Sequence, residues 1–115
     1  MRLGQVLSSL DLGSLSELLM SLYHGKGSGR KPYSPVSMLK AQVLKYLRRI
    51  PSDRRLALLL RWDKEAAKTC GFKHETPSHG LFTQFRRRLG KEGYEKVFSV
   101  ILKQLLKLGV VNGNS

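Results

Sequence analysis

Little in this chain serves the commonest kinds of chemistry. Among 115 residues there is one cysteine, Cys70, so no disulfide can form within the chain and a reducing compartment suits it. Acidic residues number 8 against 21 Lys and Arg. Between residues 30 and 91 the only acids are Asp53, Asp63, Glu65 and Glu75. Asp63 has a helix cap to supply, and Asp53 suits a first turn through the helix dipole. Metal-dependent phosphoryl chemistry needs convergent carboxylates on a rigid frame, which this supply does not suggest. Long apolar runs are missing too. The longest is Leu56–Leu60, far short of the roughly 20 residues of a membrane span. The apolar positions of Met1–Leu10 are interrupted by Gly4, Gln5, Ser8 and Ser9, which argues against a signal peptide. The expectation is a cytoplasmic protein with no membrane contact. Finally, no segment alternates apolar and polar with β-branched enrichment. The expected fold is all-α: a compact bundle of short helices containing a helix-turn-helix-like unit.

What the chain has in excess is positive charge. The net charge is +13, which points to a polyanionic partner, usually nucleic acid. The charge is concentrated. Residues 30–91 hold 16 Lys or Arg and 4 Asp or Glu, while the first 23 residues carry Arg2 against Asp11 and Glu17. The polyanion contact therefore belongs to the middle of the chain.

Periodicity and caps divide the chain into four parts. Residues 1–23 read as an N-terminal helical arm: Leu3, Val6, Leu7 and Leu10 share one stripe, and a Ser14/Glu17 capping box precedes Leu15, Leu18, Leu19 and Leu22. Residues 24–34 read as a basic Gly-rich linker. Its Gly29-Arg30-Lys31-Pro32 is of a kind with arms that put Arg or Lys into a minor groove, and a solvated linker is the competing reading. Residues 35–108 form the expected helical DNA-binding domain. There Ser34 caps a helix with Pro35 at its first position and Val36, Leu39, Val43, Leu44, Leu47 and Ile50 inward. Lys40, Lys45, Arg48 and Arg49 lie off that stripe. Ser52 caps a helix over residues 53–61 with Leu56, Leu59 and Leu60 inward, and Asp63 caps a short one closing at Gly71. A last helix runs from about Lys91 to Leu108. Its Tyr94, Phe98, Ile101, Leu105 and Leu108 form a seam that can close the domain or pair two chains as a homodimer, closure being preferred.

One segment stands out. From Thr76 to Gly90 the chain has a capping serine, Ser78, a closing glycine, Gly90, and an apolar face of Leu81, Phe82, Phe85 and Leu89. Gly80, Thr83, Gln84 and Arg87 lie opposite, flanked by His79, Arg86 and Arg88. Such a helix suits a DNA major groove. Arg87, Thr83, Gln84 and His79 are the candidates for base edges, Arg86 and Arg88 for phosphates. Gly80 falls on the exposed face, where a missing side chain allows close approach to DNA. The competing reading of Arg86–Arg88 as a solvated face is weakened by the local lack of acids. Lys40 and Lys45 of the earlier helix, with Arg30 and Lys31 of the linker, are further phosphate candidates. A zinc reading of Cys70, His74 and His79 lacks a fourth ligand in a recognised arrangement, so no metal or cofactor is expected.

The chain also resembles a family. Gly29-Arg30-x-Pro32-Tyr33-Ser34-Pro35-Val36-x-Met38-Leu39-Lys40-Ala41, Ile50-Pro51-Ser52-Asp53-Arg54 with Leu56-Ala57, and Cys70-Gly71-Phe72 look like the N-terminal domain of InsH-like prokaryotic insertion-sequence transposases. So do Thr76-Pro77-Ser78-His79 through Phe82 and Phe85-Arg86-x-Arg88-Leu89-Gly90. The resemblance covers about residues 29–108. It implies a helical domain that helps recognise the terminal inverted repeats of a mobile element, ahead of an RNase H-like domain with two aspartates and a glutamate that bind divalent metal. Residues 109–115 would begin the connection to that domain, and the expected activity of this chain is binding without catalysis. Lys31 stands where proline is common in the family, and Gly80 where a side chain is more usual, which leaves base preference open. Two other readings differ in class. One is a small basic RNA-binding or ribosome-associated protein, disfavoured because Phe82, Phe85, Tyr94 and Phe98 fall on apolar stripes. The other is the non-catalytic part of a split transposase, partnered by a separately encoded catalytic domain.

Overall fold

A computed structural model describes residues 33–109 and, before them, Gln5, Leu7, Leu15, Glu17, Leu18 and Leu19. Leu3, Val6, Leu10, Ser14 and Leu22 of the expected arm, linker residues 24–32 with Arg30 and Lys31, and the stretch from Val110 onward lie outside the described residues. Between 33 and 109 the chain forms helices α1 (Pro35–Leu47), α2 (Asp53–Trp62), α3 (Lys64–Cys70) and α4 (His79–Lys107). No strand occurs among the described residues. The fold is all-α.

Local chemistry explains most boundaries. The Ser34 hydroxyl accepts from the Val36 amide at 3.1 Å, with Pro35 at the first helical position, where its missing N–H costs nothing. Ser52 Oγ accepts from the Arg55 amide at 3.1 Å, and Asp63 Oδ1 from the Ala66 amide at 3.1 Å. α3 ends where Gly71 turns left-handed at φ 101°. The Phe72 amide then bonds Ala67 O and the Gly71 amide bonds Lys68 O, the paired return bonds of a Schellman motif. A Cβ at Gly71 would meet Ser37 Oγ at 2.6 Å, so both conformation and space require glycine there.

α4 is two arms. Gly90, at φ 77° and ψ 162°, leaves the helical region and separates residues 79–89 from 91–107. The break expected at Gly90 is therefore present. Ser78 occupies the cap position in extended geometry, but its side chain makes no capping bond; the Leu81 amide bonds Ser78 O instead. The hydroxyl cap expected of Ser78 is thus not made.

The core draws on every part of the described chain. Leu7, Leu15 and Leu19 are buried with Leu39, Leu44, Leu56, Leu60, Phe82, Phe85, Ile101 and Leu105. α1 is wrapped more fully than its stripe suggested: Met38, Ala41 and Gln42 are buried as well, while Val36, Leu47 and Ile50 are only half-buried. In the second arm of α4 the inward line is Gly93, Val97, Ile101 and Leu105. Tyr94, Phe98 and Leu108 of the expected seam flank it half-buried. The four-residue steps of the inward line each advance by about 40°, so the line winds slowly around the arm.

Candidate nucleic-acid interface

The first arm of α4 has two unlike sides. Phe82 and Phe85 are fully buried and Leu89 nearly so. Away from them His79, Gly80, Gln84, Arg87 and Arg88 are exposed, with Thr83 half-buried. The Thr83 hydroxyl donates back to His79 O at 3.4 Å, which ties it to its own helix. An added Cβ at Gly80 would meet only Ser78 Oγ, at 3.9 Å, so packing does not demand glycine there.

Arg86 departs from the role expected of it. Its guanidinium grips Asp53 two-handed: Nη1 donates to Oδ1 at 3.0 Å and Nη2 to Oδ2. Nη1 also donates to Gln42 Oε1 at 3.2 Å. Lys45 Nζ reaches the same Asp53 Oδ1 at 3.0 Å. Burial pushes the Asp53 carboxyl up, but the hydrogen bonds and charges of Arg86 and Lys45 outweigh it and hold it below its ordinary value. The same bond raises Arg86 further. Two cations expected at phosphates are thus engaged with one carboxylate, and they tie α1 and α4 to the start of α2. Gln42, 3% exposed, completes the cluster: its Oε1 also accepts from the Tyr94 hydroxyl at 3.1 Å. Burial chiefly raises the Tyr94 phenol. Sequence periodicity placed Asp53 in its first turn but gave no sign of a partner 33 residues away.

Of the other candidates, Lys40 is half-buried and Ser78 is exposed. Cys70 is buried while His74 and His79 are exposed. Among the described residues no group of three His, Cys, Asp or Glu side chains is placed to hold a metal ion. No described helix is long and apolar enough to cross a membrane.

A second surface adjoins this face. Tyr33, Arg54, Ala57, Leu58 and Arg61 form one side of a groove of about 550 Å³ and the 74–79 segment the other. Trp62 is 76% exposed, which sequence reasoning did not foresee. The available signal was its place four residues after Leu58, off the Leu56/Leu60 line.

The geometry is that of a basic all-α module with one helix arm turned outward. Residues 2–88 match the family model for a transposase domain, DUF772. The chain therefore belongs to that transposase domain family. The match includes the N-terminal arm, which the resemblance noted from residue 29 onward did not. Neither a search of curated proteins nor one of solved structures finds a match.

Proposed function

We propose that this transposase domain binds duplex DNA at the ends of an insertion sequence, without catalysis of its own. The observation that carries the reading is the division of the first arm of α4. Phe82, Phe85 and Leu89 anchor it, while His79, Gln84 and Arg87 stand outward within the matched region. Arginine pairs with guanine and glutamine with adenine in a major groove, so Arg87 and Gln84 are the base-reading pair. Arg88 is the flanking phosphate candidate. Arg86 and Lys45 take a different part: through Asp53 they hold the arm in place. The net charge of +13 supplies the non-specific attraction.

The test is base preference. Arg87→Ala should cost about 1–3 kcal/mol against the preferred site and relax discrimination at one position. A selection from random duplexes that returns the same preference for the variant would remove Arg87 from the reading face. No preference in the parent chain would remove sequence recognition altogether.

A further inference from the structure

The α2 side of the groove carries Arg54, Leu58 and Arg61, which the reading face does not use, and Trp62 follows Arg61 on the same helix outside the groove lining. Arg54, Leu58, Arg61 and Trp62 fall at i, i+4, i+7 and i+8 of α2, so they share one stripe. All four are exposed, Leu58 at 48% and Trp62 at 76%. The Arg61 guanidinium lies 5.9 Å from the Trp62 ring centroid, within cation–π range. The stripe carries no acid, and Glu75 alone among the residues lining the groove is acidic. The open indole offers a stacking face, and the arginines beside it select a polyanion.

Duplex DNA satisfies the arginines but not the indole, because its base faces are already stacked. An unpaired strand satisfies both: bases stack on aromatic rings while a cationic groove follows the backbone. We propose that the Arg54–Leu58–Arg61–Trp62 stripe and its groove bind unpaired DNA, one base stacking on Trp62. The groove meets the α4 reading face at Ser78 and His79, but the arginines and the indole proposed to bind the strand lie on α2.

Trp62 is the only tryptophan in the chain, so emission excited beyond the tyrosine absorption band reports this site alone. The full chain would be titrated with a 12-nucleotide single strand, its blunt duplex, the RNA of the same sequence and a glutamate-rich amphipathic peptide. The single strand should quench Trp62 emission, and the duplex much less. With a labelled strand, Trp62→Ala should weaken binding roughly tenfold or more and Trp62→Phe only slightly, since stacking needs a ring. Both variants should bind labelled duplex within about twofold of the parent, the range for a residue outside that contact. Unchanged emission on saturation, equal single-strand binding by both variants, or tighter binding of the peptide or the RNA would each overturn the site. Single-strand quenching that persists when duplex binding fails would remove the reading face and leave this site standing.

Discussion

Asp53 and Arg86, 33 residues apart, meet through two parallel hydrogen bonds, and that pair sets how the outward arm of α4 sits on α1 and α2. The Asp53 side chain is 13% exposed and that of Arg86 32%. Removing Asp53 leaves a part-buried guanidinium without its carboxylate. Asp53→Ala should therefore lower stability by about 1–3 kcal/mol, read as a shift in the urea midpoint at neutral pH. A loss within a few tenths would mean that the pair is incidental to the fold.

The same pair carries a pH signature. The folded Asp53 carboxyl titrates below its ordinary value of 3.8. A depressed acid contributes stability that is whole above that value and lost as pH falls through the lower, folded one. Denaturation midpoints measured between pH 6 and pH 2 should fall for the parent in the acid limb, and Asp53→Asn should flatten that limb. Parallel curves would refute the assignment.

Gly80 separates folding from binding. It lies in the first turn of α4, where an added Cβ would make only an ordinary contact with Ser78 Oγ. Gly80→Ala should raise the melting temperature, through a gain of up to about 1 kcal/mol. If DNA approaches the backbone there, the same variant should bind duplex more weakly. A variant that is more stable and binds equally well would take Gly80 out of the contact.

Arg49 marks a strained turn. It holds φ 52°, the only non-glycine residue at positive φ among those described. It does so to close α1: the Ile50 amide bonds Lys45 O and the Arg49 amide bonds Tyr46 O. Arg49→Gly should stabilise the fold by about 1 kcal/mol, because glycine meets no steric penalty there. A destabilised variant would show that the arginine side chain outweighs the strain.

Cys70 should be inert while the chain is folded. It is fully buried, and burial pushes its thiol up to about 11 against a small opposing pull from Lys40. Reaction with a disulfide reagent at pH 8 should proceed only as fast as the protein opens, and should speed up with urea. Prompt labelling in buffer would contradict this.

What could be read from sequence was what local chemistry decides. Ser34, Ser52, Asp63, Gly71 and Gly90 punctuate the helices where capping preference and left-handed backbone need them. Phe82, Phe85 and Leu89 face the core because one helical period puts them on one side. What escaped depends on distant partners. Arg86 looked like a phosphate ligand, since helical geometry alone cannot reveal Asp53. Gln42 drew no reading from the sequence, because what makes it part of the core is Arg86 and Tyr94 meeting its carbonyl. Trp62 passed unnoticed because an exposed indole breaks the rule by which apolar stripes are found.

The most direct test of the account is duplex binding across salt. Affinity for an element's terminal repeat and for scrambled DNA of equal length would be measured between 50 and 200 mM salt, a range over which phosphate contacts cost about 10³–10⁵ in affinity when six to ten are made. The account predicts a steep linear fall of log affinity with log salt for both duplexes, with the repeat bound more tightly throughout. Equal affinity for the two duplexes, or a flat salt response, would contradict it.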